Sequence, residues 1–193
     1  MVQSLIEAKS LAKSKVVPVK LAISAFVVAL AVALPQIFHL IVGKPAGVKF
    51  LPMYIPVLIG GCLLGPAFGI LVGLLSPITS FIITSLVSSP MPALERLPLM
   101  MVELSVLAFV SGLFSKKIVS NGLYAFIASI SSFIACRAVY LGLVAIFGKY
   151  LNNNVGAAIN QIKAGYPGAI VLVLAVPILI LILKKIAGIG EVK

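Results

Sequence analysis

Arg137 and Glu103 are the two charges that the sequence places well inside apolar stretches, away from their ends, and such charges usually mark either chemistry or an ion pair. At about 1.5 Å per residue, Glu103 lies roughly 9 Å into a segment beginning at Leu97, and Arg137 roughly 16 Å before Gly148. The two therefore reach similar depths. Two readings stand: a structural Glu103–Arg137 pair, or an Arg137 fork gripping a carboxylate or phosphate of a substrate, which a lysine ammonium cannot match. Tyr140 lies one turn from Arg137 on the same helix face and offers a hydroxyl or a ring. His39, the only histidine, has no Cys or Asp nearby; it reads as an interfacial side chain or as a member of a polar site. Asn152, Asn153 and Asn154, with Asn160 and Gln161, form an amide-rich stretch that either ends a helix or meets a neutral polar substrate. Tyr54, Tyr166, Ser80 and Thr84 are further candidates, whereas Arg96 beside Glu95 reads as a solvated loop pair.

What must hold these residues is a set of membrane-spanning helices. Hydrophobic residues make up 62% of the 193, and about 20 mostly apolar residues suffice for one crossing. Hydropathy and Pro/Gly punctuation predict an all-α polytopic membrane protein, a single bundle of six transmembrane helices over 1–193. The helices are expected at about 17–42, 51–64, 67–87, 97–114, 123–147 and 166–183, with 51–64 short enough to be re-entrant instead. Ser76-Pro77 is expected to interrupt the third, and Ser88-Ser89-Pro90-Met91-Pro92 cannot continue it.

Fifteen Lys and Arg against four acids give a net charge of +11. In a soluble chain that would point to nucleic acid, but these lysines flank apolar segments, where anionic lipid and topology account for them. With both termini on one side, that side carries nine of the basic residues and the other five. The positive-inside rule then makes the termini cytoplasmic and the longer connections, 43–50, 88–96 and 148–165, external. Cys62 and Cys136 have no spacing partners, so neither a metal site nor a cofactor is expected. The N-terminal stretch lacks an A-x-A cleavage pattern and reads as part of the mature protein. An intramembrane protease would need paired acids and at least two histidines, and no nucleotide-binding motif occurs; the chain reads as a non-enzyme that must borrow any energy source.

Small residues carry a second message. Ala25, Ala29 and Ala33 recur every four residues, a smooth stripe that admits another helix closely, whether from this chain or from a partner. Gly60, Gly61, Gly65, Gly69 and Gly73 make a comparable face.

Taken with the block Leu51-Pro52-Met53-Tyr54-Ile55-Pro56-Val57-Leu58-Ile59-Gly60-Gly61, then Leu64-Gly65-Pro66 and Gly69-x-x-x-Gly73, the chain resembles the S components of energy-coupling-factor vitamin transporters. Pro52, Pro56, Ser76-Pro77, Met91-Pro92 and Glu103 look most similar to the pantothenate branch, from which Tyr54 departs where His is expected. The resemblance implies a plasma-membrane subunit that captures a vitamin and docks, through the stripe of Ala25, Ala29 and Ala33, on a membrane coupling protein driven by two cytoplasmic ATPases. Similar scaffolds serve riboflavin, pyridoxine, folate and queuosine-type substrates. A free-standing secondary transporter is the alternative, though the halves show no convincing repeat.

Overall fold

In hydrocarbon every backbone N–H and C=O must find its partner within the protein, which leaves helices as the form for apolar stretches of this length. The computed structural model describes residues 2–43, 49–86, 91–150 and 153–186, and it is all-helical over them. Residues 44–48 and 87–90 of the connections expected to be external, with Lys44, and Asn152 of the amide run lie outside the described residues.

Helix α1 covers Val2–Val42, its apolar span being Val17–Val42. There follow α2, Tyr54–Leu64; α3, Pro66–Leu86; α4, Leu97–Leu113, entered through a 3-10 turn at Leu94–Arg96; and α5, Ser115–Ser120. Helices α6, Tyr124–Phe147, α7, Val155–Ala164, and α8, Tyr166–Ile186, complete the order. Five stretches, 17–42, 66–86, 94–113, 124–147 and 166–183, are long and apolar enough to cross a membrane. The 11 residues of α2 span only about 16 Å, roughly half the hydrocarbon thickness.

The short helix is the hub. Helices α1, α3, α4, α6 and α8 pack in that order around it, and α2 fills the space between α1 and α8. Accordingly Tyr54, Val57, Leu58, Cys62 and Leu64 are buried, while large apolar side chains such as Phe26, Leu40 and Ile134 point outward. This inside-out apolar surface suits lipid as the solvent. Hydroxyls are satisfied locally: Ser24, Ser129 and Ser132 donate to carbonyls one turn back, at 2.7, 2.9 and 2.5 Å.

Between α2 and α3 stands one residue, Gly65, with φ 88°, a left-handed turn that glycine adopts without a side-chain penalty; Pro66 then opens α3. Lys20 closes this end of α2, donating from Nζ to the Leu64 carbonyl at 3.0 Å while lying over the Phe68 ring. Contrary to the expected interruption, α3 runs unbroken through Ser76-Pro77. Both residues are buried against neighbouring helices, which let a membrane helix continue through a proline, and Ser76 Oγ donates one turn back to the Val72 carbonyl at 2.7 Å.

The two small-residue faces have opposite fates. A Cβ at Gly69 would stand 2.7 Å from the Ala108 carbonyl oxygen, and one at Gly73 2.6 Å from Ser105 Cα. These glycines let α3 and α4 touch backbone to backbone. On α1, in contrast, the buried face is Ser24, Val27, Val28, Ala31, Val32 and Pro35, and Ala25, Ala29 and Ala33 are exposed.

Candidate functional site

At the end of the bundle where α1 finishes and α2 and α4 begin lies a cavity of about 280 Å³. Each wall has a local reason. Leu51 turns left-handed, φ 49°, at the entrance to α2, and its carbonyl accepts from Tyr54 N at 3.0 Å, which starts the helix at the cavity edge. Met91 is held on the rim by α3: its N–H donates to Thr84 Oγ1 at 2.8 Å and its carbonyl accepts from Ser80 Oγ at 2.8 Å. The Ala93 carbonyl accepts from the N–H groups of both Arg96 and Leu97, so the 3-10 turn leads straight into α4. Asn154 caps α7, its side chain accepting from Ala157 N at 2.7 Å. The connection expected as an irregular loop thus contains a helix, and α7 brings Gln161 to the cavity.

More than half of the lining is apolar: Pro35, Leu51, Pro52, Met53, Met91, Pro92, Ala93, Leu99 and Met100. The polar groups are few and convergent, the pattern of a small-molecule site. His39 from α1, Tyr54 from α2, Glu103 from α4 and Tyr140 from α6 all line it. His39 Nδ1 is buried without a hydrogen-bond partner in the protein.

Arg137 stands behind this wall rather than in it. Its Nη1 meets Glu103 Oε1 at 2.6 Å, its side chain is 9% exposed, and the guanidinium lies 5.0 Å from the Tyr54 ring centre and 5.1 Å from that of Phe133. Two aromatic faces and one carboxylate answer its charge, and its Nε is buried without a hydrogen-bond partner in the protein. Arg137 therefore aims and neutralises Glu103 without facing the cavity.

Beside this pair runs a polar chain. Gln161 Oε1 accepts from Tyr140 OH at 2.7 Å and from Arg96 Nη2, and Asn153 Nδ2 donates to Tyr140 OH at 3.4 Å. Asn153 thus sits one bond behind the lining. Tyr166 is 61% exposed and does not join the cavity.

Arg96 is the residue whose placement the sequence misjudges. No ion pair links it to Glu95 among the described residues; Glu95 is exposed, and Arg96 lines the cavity. The Leu94–Arg96 turn separates the two side chains, a geometry that adjacency in sequence does not reveal. Gln161 was detectable only as one amide among several, since its position depends on α7 folding back over the bundle.

A cavity with apolar walls, one fixed carboxylate, two phenols, an imidazole, an amide and a guanidinium can bind and orient a small polar molecule. Among the described residues there is no group of three or more metal-ligating side chains.

Comparison with known proteins agrees with this arrangement. The family model described as ECF transporter, substrate-specific component matches residues 19–187, nearly the whole chain and every helix around the cavity. No curated protein and no solved structure matches. A multi-pass helical bundle with a small-molecule cavity, matched from the first crossing to the last by this family, belongs to it: the chain is a substrate-specific component of an ECF transporter, the membrane subunit that binds the substrate.

Proposed function

We propose that the chain captures a vitamin-type small molecule, of the pantothenate class, in the cavity between α1, α2, α4 and α6. The observation that carries this reading is Glu103, which lines the cavity and is held by Arg137: a buried ion pair is often no more stabilising than apolar residues of the same volume, so its presence at a cavity wall points to binding rather than to stability. Pantothenate bears hydroxyls, an amide and a carboxylate, which suit the phenols of Tyr54 and Tyr140, the amide of Gln161 and the cations of the site. Glu103, Tyr54, Tyr140 and His39 make the contacts; Arg137 and Asn153 hold them in place.

The cavity opens outward and both termini are cytoplasmic, as the lysine bias favours. Helix α2, with the segment leading into it, counts as the sixth crossing of a single domain. Handover follows docking on a membrane coupling protein driven by two cytoplasmic ATPases, and Ala25, Ala29 and Ala33 form the docking stripe. That role is supported by their exposure: internal packing does not use them, and neighbouring outward residues such as Phe26 and Leu30 are large, as lipid contact allows.

Mass spectrometry of small molecules retained by the detergent-purified chain tests the capture. The expected result is one vitamin bound near one per chain, released on denaturation. An empty protein, together with cellular uptake that persists when the ATPases are deleted, would overturn the reading in favour of a free-standing transporter.

A further inference from the structure

We infer that the site selects for a single negative charge on its ligand and that Arg96, rather than Arg137, is the group that binds it. The inference rests on the capture reading above and adds the electrical character of the ligand and the residue that sets it.

Counting His39 as neutral, the fixed charges around the cavity are two guanidiniums, Arg96 and Arg137, and one carboxylate, Glu103. Glu103 and Arg137 are paired at 2.6 Å, and Arg137 is further enclosed by the rings of Tyr54 and Phe133. One positive charge remains, and it belongs to Arg96. Among the described residues the side-chain partner of Arg96 is the neutral oxygen of Gln161, and no carboxylate forms an ion pair with it. A partly buried guanidinium at an apolar cavity wall, hydrogen-bonded to an amide and near a Glu103 carboxylate already paired with Arg137, is a charge without a counter-charge of its own.

The geometry suits an anion further. A guanidinium presents five N–H donors in a planar fork, and Gln161 engages one nitrogen, leaving donors for a bidentate carboxylate. Arg96 also precedes the first turn of α4, whose partial positive charge adds to its own. Gln161 Oε1, which accepts from both Arg96 and Tyr140, holds the fork in place until a carboxylate joins or replaces it.

The test is isothermal titration of the full-length, detergent-purified chain with acid and neutral partners: pantothenate with pantothenyl alcohol, biotin with biotinamide, and nicotinate with nicotinamide. The expected result is that an acid binds and its neutral partner binds at least about tenfold more weakly, the scale of a lost charge-assisted bidentate contact. Arg96→Gln should weaken the acid by a similar factor and leave the neutral partner nearly unchanged, so the preference collapses; Arg96→Lys should fall between. The double variant Arg137→Met with Glu103→Gln removes one charge of each sign and should keep the preference even if its affinity falls. Thermal melts confirm that each variant is folded. A neutral partner that binds as well as its acid, or a preference that survives Arg96→Gln, overturns the inference. Failure of every acid to bind overturns it too; a neutral or cationic molecule co-purifying with the same protein would then leave capture in the cavity standing while removing the charge selection and the pantothenate class.

Discussion

Removing one member of the Glu103–Arg137 pair should destabilise the bundle far more than removing both. With the charges about 4 Å apart, attraction at an effective dielectric of about 20 is roughly 4 kcal/mol, partly cancelled by the desolvation of two buried ions. Glu103→Gln leaves a guanidinium that is 9% exposed, facing two aromatic rings but no carboxylate; Arg137→Met leaves a carboxylate that is 2% exposed with no cation bonded to it. Each single change should cost about 3–5 kcal/mol, the usual penalty for stranding a buried charge. The double change, which strands nothing, should cost at least about 2 kcal/mol less than the two single changes combined, the interaction energy of a directly coupled pair. Scaled to 193 residues, the unfolding entropy of globular proteins converts each single loss to a melting-temperature drop of at least about 7 °C. Helices that persist in the unfolded state of a membrane protein reduce that entropy and enlarge the drop. Thermal melts of the ligand-free chain in one detergent, for wild type, both single variants and the double, are the assay. Single variants that melt within about 2 °C of wild type, or a double variant whose loss equals the sum of the singles, would refute the reasoning.

The two small-residue faces make a paired prediction. Gly73→Ala should lower the melting temperature, by a loss of about 1–3 kcal/mol, because its Cβ has 2.6 Å to Ser105 Cα. Ala29→Trp should leave the melt and ligand titration unchanged while abolishing co-purification of the coupling protein; a Trp variant that still assembles and transports would remove the stripe from the docking role. For topology, Cys replacing Tyr150 should react with a membrane-impermeant thiol reagent in intact cells and Cys replacing Lys116 should not, with little background because Cys62 and Cys136 are buried. The reverse labelling pattern would invert the orientation.

The all-helical, multi-pass character of the chain was legible without a structure, because hydrocarbon leaves a long apolar stretch little choice but to close its hydrogen bonds along a helix. For the same reason Glu103 and Arg137 stood out: a charge in a membrane segment calls for a partner in any fold. The number of full crossings was less legible. Tyr54–Leu64 is apolar enough to be counted by hydropathy, yet it is a short hub enclosed by five longer helices. Composition could not say whether an apolar helix meets lipid or protein.

Tertiary packing alone decided how each helix is rotated about its axis, and with it what each residue can do. Alanine every four residues on α1 and glycine on α2 and α3 are equivalent as patterns; only packing turned the first outward and pressed Gly69 and Gly73 against α4. Arginine at position 137 and arginine at position 96 carry the same charge. The fold brought Glu103, 34 residues away in sequence, against the first, and swung the second away from Glu95 onto a cavity wall beside Gln161, 65 residues away. Local sequence specifies the helices through bonds made one turn apart, whereas these pairings depend on side chains from separate helices packing into one volume, which no local pattern encodes.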